Sequence, residues 1–311
     1  MSSAVAILRT LKRLAREQRI QPQALLTRFG LERFLYRLSQ WELSQPAALL
    51  HGRGPTTGRE PDGFTLKGAW CFVAWGGDLH RPTKDIDLRR VGNASEATLR
   101  RIFSEACAID GADDVVFDDG SIETRLLEQT ALYTGVELKL HGLLGPKTRL
   151  KIKVDVVPGD AVVPEPVTRT RLTTLVPGLP EPLLHVYSRE SVVAEKLHAI
   201  ATLGMLNSRL KDYWDLHHLA LDPLGFDGRA LSRAILTTFA RRDRQRPPAH
   251  LDGLSDTYVQ LRASQWAFTT GLTDVMSDLR RFVLPLLAAT TTGAELVGRW
   301  DHRRGWQEPL S

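Results

Sequence analysis

Asp85 and Asp87 stand one residue apart in a β-prone segment, Asp85-Ile86-Asp87-Leu88, and this spacing restricts how a strand there can lie. Side chains alternate across a strand, so both carboxylates point to one side while Ile86 and Leu88 turn to the other, toward a core. Two acids held that close repel unless a cation sits between them. Hard oxygen ligands favour magnesium or manganese, the metals that escort nucleotide phosphates. On an exposed strand edge the same spacing is an ordinary solvated acidic pair, so the surrounding sequence has to decide.

Upstream, Phe64-Thr65-Leu66-Lys67-Gly68 reads as a strand that ends in a tight turn and opens a helix, where backbone N–H groups can hold a triphosphate. A third carboxylate lies in Arg149-Leu150-Lys151-Ile152-Lys153-Val154-Asp155-Val156. Leu150, Ile152, Val154 and Val156 fall on one face of a period-2 strand, with Lys151, Lys153 and Asp155 on the other. A half-buried strand with a plain polar face accounts for the two lysines. It accounts less well for Asp155, because aspartate is depleted from the centre of β-rich segments. Asp85, Asp87 and Asp155 together make a three-acid site for two metal ions, one activating an attacking hydroxyl and one holding a departing pyrophosphate. That is the layout of a nucleotidyl-transfer core.

In the second half, Arg189 to Ala201 and Asn207 to Leu216 both read as helices. Val192, Val193, Leu197 and Ile200 repeat at helical spacing, and Gly204 and Asn207 interrupt. Lys196 lies one turn after Val192 and Val193 on an otherwise apolar face. Buried lysines are rare unless paired or bound to an anion, which makes a phosphate contact credible. Asp212 and Asp215 share a helix face; so do Lys211 and Asp215, which leaves an intrahelical ion pair as the alternative.

The chain has 311 residues, 42% of them hydrophobic, enough to bury a substantial core in one large or two medium domains. The longest apolar stretches, such as Phe282 to Ala289, are too short to span a bilayer. The N-terminus lacks a secretory h-region; Arg9, Lys12, Arg13 and Arg16 punctuate a helix whose apolar stripe is read as Val5, Leu8, Leu11 and Leu14. Cys71 and Cys107 alone offer neither a disulfide framework nor metal-ligand spacing, which points to a reducing cytoplasm. A net charge of +5 favours polyanions. Arg241, Arg242 and Arg244, at the end of the helix Ala230 to Ala240, are candidates for gripping an RNA backbone; their alternative is a solvated helix C-terminus. Trp266, Trp300 and Trp306 are expected to pack or cap the helical half rather than stack on bases.

Three regions are expected: a helical N-terminal segment over 1–50, a core over 51–182 and a helical domain over 183–311. Residues 51–63 read as a Gly/Pro/Thr-rich loop. Strands are expected at Phe64, at Asp85, briefly at Asp114 to Phe117, at Ala131 to His141 and at Asp155, with a helix near Glu96 to Ala108. The prolines from Pro158 to Pro182 mark the likeliest boundary.

The stretch Leu31 to Leu38, Phe64 to Gly68, Arg81 to Leu88, Asp155 with Gly159-Asp160, Ala194 to Leu197 and Asn207 to Leu216 occur in one order over about residues 25 to 290. Together they resemble the AbiEii/AbiGii family of nucleotidyltransferase toxins of type IV toxin–antitoxin systems. The resemblance implies an α+β fold: a polymerase-β-like nucleotidyltransferase core, a mixed sheet with helices, plus a largely helical C-terminal domain that completes the active site. It implies a toxin that moves a nucleoside monophosphate from an NTP to the 3′ acceptor end of tRNA and so blocks aminoacylation, with a cognate antitoxin as partner and Mg2+ or Mn2+ as cofactor. Gly68 matches the family's glycine turn and Asp85 and Asp87 its metal-binding acids. Lys196 matches its nucleotide-contacting lysine, and Asp212 or Asp215 its late helical aspartate, with Lys211 beside it as a further nucleotide contact. The wider superfamily has Gly-Ser at the turn, where this chain has Ala69, and here fifteen residues separate Ala69 from Asp85. Lys67 is the candidate to replace the missing hydroxyl at the phosphates. Transfer to a protein hydroxyl, or a silent nucleotide- or RNA-binding module, are the alternative functions.

Overall fold

The computed structural model describes residues 3–45, 63–76, 79–130, 133–159, 169–243 and 245–308. The loop expected over 51–63 lies outside these residues apart from Gly63, as do Asp160 and Arg244. The described chain divides into two compact units, one reaching to Gly159 and resuming from 169 to Val186, the other running from Tyr187 onward.

The first unit is built on a seven-stranded mixed sheet. Its strands are β1 (Gly63–Lys67), β2 (Ile86–Val91), β3 (Val115–Thr130), β4 (Tyr133–Leu144), β5 (Thr148–Pro158), β6 (Arg169–Arg171) and β7 (Leu183–Val186), in the order β3-β4-β5-β2-β1-β7-β6. β2 runs parallel to β5 and β1 parallel to β7, while the other pairs are antiparallel. The period-2 reading of β5 holds: Leu150, Ile152, Val154 and Val156 are all buried, and Lys151, Lys153 and Asp155 alternate with them on the more accessible face. The strand expected over Asp114 to Phe117 is instead the start of the sixteen-residue β3. Polar residues such as Asp118, Asp119 and Glu123 hide its continuation, and pairing with β4 overrides their weak strand preference.

The apolar face of the sheet is covered by α2 (Pro22–Ser44) and α4 (Glu96–Cys107), with α1 (Ala4–Glu17) packed against α2; the short α3 (Trp70–Gly76) joins β1 to the approach of β2. Phe34 of α2 meets Phe103 of α4 and Phe117 of β3 edge-on, with ring centroids 5.1 and 5.5 Å apart. Ser95 caps α4, its hydroxyl accepting from the Thr98 N–H. The stripe expected on α1 is corrected: Ala4, Ile7, Leu11 and Ala15 are buried, whereas Val5 is 66% exposed. A run with strict three-residue spacing rotates about 60° per step around a 3.6-residue helix, so Val5, Leu8, Leu11 and Leu14 cannot share one face.

On α2 the charged residues of the Leu31 to Leu38 stretch turn inward. Arg37 holds Asp113 with both Nη atoms, at 2.9 and 2.8 Å. Glu32 accepts the Leu175 N–H at 2.8 Å, and Arg33 donates to the Pro180 carbonyl at 2.9 Å. Glu32 and Arg33 satisfy the backbone of the segment that leads into β7, and Arg37 with Asp113 that at the start of β3, so the helix serves as a polar clamp as well as an apolar cover.

The second unit contains α5 (Arg189–Leu203), α6 (Leu210–Ala220), α7 (Gly228–Arg242), α8 (Asp256–Arg262) and α9 (Leu272–Thr292). A small sheet ordered β10-β9-β8, from β8 (Phe226–Asp227), β9 (Arg299–Asp301) and β10 (Gly305–Gln307), adds strand structure to what reads as a helical half. Ser188, Asp227 and Ser255 cap α5, α7 and α8 through side-chain oxygens. Trp300 and Trp306 pack in this unit as expected: Trp306 stacks on Phe282 at 6.0 Å, and the two indoles donate to the Ala220 and Phe282 carbonyls.

Candidate active site

Strand register assembles the site. Asp87 of β2 lies opposite Lys67 of β1 and Asp155 of β5; Asp155 lies opposite Glu137 of β4, and Glu137 opposite Arg125 of β3. Direct cross-strand partners project from the same face. The result is one row across five strands with charges plus, minus, minus, minus, plus.

Asp85 immediately precedes β2. Its carboxylate accepts the Thr83 hydroxyl at 3.1 Å, and its carbonyl accepts the Trp70 indole N–H at 3.1 Å. Helix α3 therefore fixes the position of the first acid although it contributes no acid itself. The turn after β1 is held by N–H groups of Cys71 and Phe72 that donate to the Gly68 and Ala69 carbonyls. Gly68 has a φ of +65°, and a Cβ there would collide with the Asp87 carboxylate. Glycine is thus required twice, by backbone conformation and by the close approach of the acid. Lys67 is only 8% exposed, so it is not a solvated strand-end charge.

Lys153 reaches into the acids from β5. Its Nζ lies 3.1 Å from Asp155 Oδ2, 3.2 Å from Glu137 Oε2 and 3.8 Å from Asp85 Oδ2. Glu137 also receives Lys139 at 2.8 Å and Arg125 at 3.2 Å. The Lys139 hydrogen bond, aided by Arg125 and Lys153 against the cost of burial, holds the Glu137 carboxyl down to about 2. Burial raises the Asp155 pKa, and Lys153 offsets only part of that rise. Burial alone would lower the Lys153 pKa, but Asp155, Glu137 and Asp85 together outweigh it and raise it. Neighbouring carboxylates thus titrate apart because Glu137 is ringed by three cations whereas Asp155 has Lys153 alone against its burial.

The donor chemistry of Asp85, Asp87 and Asp155 suits a hard divalent cation. Asp155 Oδ1 is buried and accepts no hydrogen bond among the described residues, an orphaned oxygen that such an ion would satisfy. Among the described residues no three His, Cys, Asp or Glu side chains are gathered closely enough to ligate an ion; the Lys153 ammonium stands among the acids.

In the second unit, Lys196 of α5 is buried and its Nζ lies 2.9 Å from Asp212 Oδ1 and 2.7 Å from Asp215 Oδ2 of α6. Burial alone would lower its pKa, but Asp215 and then Asp212 more than reverse this. The ion pair therefore runs between helices, and Lys211, offered as an intrahelical partner for Asp215, is exposed. Among the described residues, two of the three ammonium donors are committed to these acids. In the basic cluster at the end of α7, Arg242 is drawn onto Glu195 at 2.8 Å, while Arg241 is exposed.

Sequence reading missed Glu137, Lys153, Thr83 and Trp70 as parts of the site. Glu137 carried a usable signal: it lies on the face opposite Val136, Leu138 and Leu140, all buried, as an acid in a strand interior where acids are depleted. Lys153 shares the polar face of β5 with Asp155, but its approach to Glu137 and Asp85 depends on strand pairing on both sides of β5 and has no local signature.

A mixed sheet with a glycine turn laid over one of two register-paired aspartates is the framework of a nucleotidyltransferase. Residues 57–301 match the family described as "Nucleotidyl transferase AbiEii toxin, Type IV TA system", and the chain belongs to this family. Among solved structures, it is similar to MenT4, a nucleotidyltransferase toxin from Mycobacterium tuberculosis H37Rv, at 18% sequence identity and a TM-score of 0.50 over 86% of this chain and 84% of that one. No curated protein sequence matches it. Membership of a type IV toxin–antitoxin family implies a cognate antitoxin. Among the described residues, no helix is long and apolar enough to cross a membrane.

Proposed function

We propose that this nucleotidyltransferase toxin moves a nucleoside monophosphate from an NTP to the 3′ acceptor end of tRNA, and thereby blocks aminoacylation. The observation that carries the reading is the register pairing of Asp87 with Asp155 beneath the Gly68 turn. Asp85, Asp87 and Asp155 would hold Mg2+ or Mn2+, which when bound screens the triphosphate and acidifies the attacking hydroxyl. In the transfer, the terminal 3′ oxygen of the acceptor bonds to the α-phosphorus of the NTP and the bond from that phosphorus to the bridging oxygen breaks. Pyrophosphate leaves, and the hydroxyl proton passes to a carboxylate oxygen of the cluster.

The chain's own residues have separate tasks in this reading. Gly68 lets the backbone of the turn approach the phosphates, and Lys67 beside it takes the contact that a serine hydroxyl makes elsewhere in the superfamily. In the second unit, Asp212 and Asp215 orient Lys196, whose remaining N–H we assign to a nucleotide phosphate, and exposed Lys211 is a further nucleotide contact. The net charge of +5 suits a polyanionic acceptor, for which Arg241, Arg242 and Arg244 are the candidate grips.

The test is to incubate purified protein with total RNA, magnesium and each labelled NTP in turn. A labelled band at tRNA size supports the reading, provided it disappears with Asp87→Asn. Label on the protein fraction would reassign the acceptor, and no label with any NTP would overturn transfer.

A further inference from the structure

The acids of the first unit are not left facing one another. Lys153 is 33% exposed, yet its ammonium has three carboxylates within 4 Å, from three different strands or their approaches. A surface lysine gains little from one such partner and loses rotamer freedom in keeping it. Three partners around one ammonium are a coordination shell, and two of them, Asp85 and Asp155, are the acids assigned above to a divalent cation. The third, Glu137, is not assigned to that cation; it is 5% exposed and is fixed from its other side by Lys139 and Arg125.

We propose that Lys153 is a tethered counter-ion of the acid cluster. In the resting protein its ammonium occupies the place between Asp85 and Asp155 that a divalent cation takes, and on loading it withdraws toward Glu137, which keeps it beside the site. The inference rests on the metal-dependent reading above. It has a consequence that reading lacks: a metal ion arriving alone must displace a cation that is covalently attached and therefore always present at high effective concentration. A metal that arrives with a triphosphate brings an anion for the displaced ammonium to meet. Lys153 thus sets the order of loading, by opposing bare metal, and acts as a positioning residue.

The experiment is binding of Mn2+ alone, without nucleotide, followed by the paramagnetic resonance of the free ion. Wild type, Lys153→Gln, Lys153→Arg and Lys153→Gln combined with Asp155→Asn are compared at low ionic strength. Lys153→Gln is expected to bind Mn2+ about tenfold or more tightly than wild type, because a like charge leaves the site. Lys153→Arg should stay near wild type, and the double variant should lose the gain. A cooperative thermal transition for each variant establishes folding, and Lys153→Thr, better suited to a strand, replaces the glutamine variant if that one does not fold. Equal Mn2+ affinity in wild type and Lys153→Gln, with weaker binding in the double variant, would overturn the counter-ion role and leave the metal site standing. No Mn2+ bound by any variant, with or without NTP, would overturn both.

Discussion

Asp155 lies directly across the parallel β2–β5 ladder from Asp87, and its Oδ1 is buried without a hydrogen-bond partner among the described residues. Burial raises its pKa, so the folded state binds its proton more readily than the unfolded chain does. The contribution of Asp155 to stability is therefore lost as pH rises through its folded pKa, above which the ionised group opposes folding. Asp155→Asn is expected to match or exceed wild-type stability at pH 7 while lowering transfer by roughly two orders of magnitude or more. Thermal melting and labelled-NTP transfer measured side by side check this; a variant that melts early yet still transfers would contradict it.

Gly68→Ala places a methyl group against the Asp87 carboxylate at a φ of +65°. The backbone conformation alone costs about 1–2 kcal/mol, and the acid must also move. Denaturant unfolding should report at least that loss, and transfer should fall further than stability does. An alanine variant with wild-type activity would remove the turn from the site.

Glu42 of α2 is buried, and its Oε1 accepts the Phe64 N–H while Oε2 accepts no hydrogen bond among the described residues. Burial pushes its pKa from 4.5 up to about 7, against the opposing pull of that hydrogen bond and of Arg169 and Arg90. Between these values the folded protein binds more protons than the unfolded chain, so stability falls as pH rises across that window, by up to roughly 3 kcal/mol. Glu42→Gln keeps an acceptor for Phe64 and cannot ionise. Urea denaturation at pH 5 to 8 should show a flatter profile and a more stable protein at the alkaline end; an unchanged slope would assign the pH dependence elsewhere.

Arg241 and Arg242 are adjacent in sequence but differ in commitment, since Arg242 donates to Glu195. If the cluster meets an RNA backbone, Arg241→Ala should flatten the plot of log affinity against log salt by roughly 0.7–0.9, the share of one phosphate contact, while Arg242→Ala should flatten it less because that guanidinium already donates to Glu195. Titration of labelled tRNA at several salt concentrations separates them. Equal slopes in wild type and Arg241→Ala would mark that arginine as a solvated helix end.

What the sequence disclosed was local. The alternation of β5, the glycine turn before α3 and the helical spacing around Lys196 each follow from residues within one or two turns of chain, and each is present. What it withheld depends on pairing. Lys196 reads equally well as a phosphate ligand or a paired lysine until α6 brings Asp212 and Asp215 to it. Glu137 becomes a neighbour of the acids only through β4–β5 register, and Lys153, already beside Asp155 on β5, reaches Asp85 only through β2–β5 pairing. The length of β3 was hidden because its polar residues are held by β4, and the face of α1 because apolar residues occur on both of its sides.

The position of β7 has a consequence for how a cell makes this protein. β7 is the last strand of the sheet in chain order, but it docks beside β1 in the interior of the strand order, carrying β6 outside it. Every strand that bears an acid of the cluster has been synthesised once Pro158 is in place, yet the free edge of β1 stays uncovered until Val186 follows. At about 5–20 residues per second, that interval lasts roughly one to six seconds on the ribosome. An open edge is a template for any partner able to add a strand, and this edge of β1 is closed only by a strand made after all those that carry the acids.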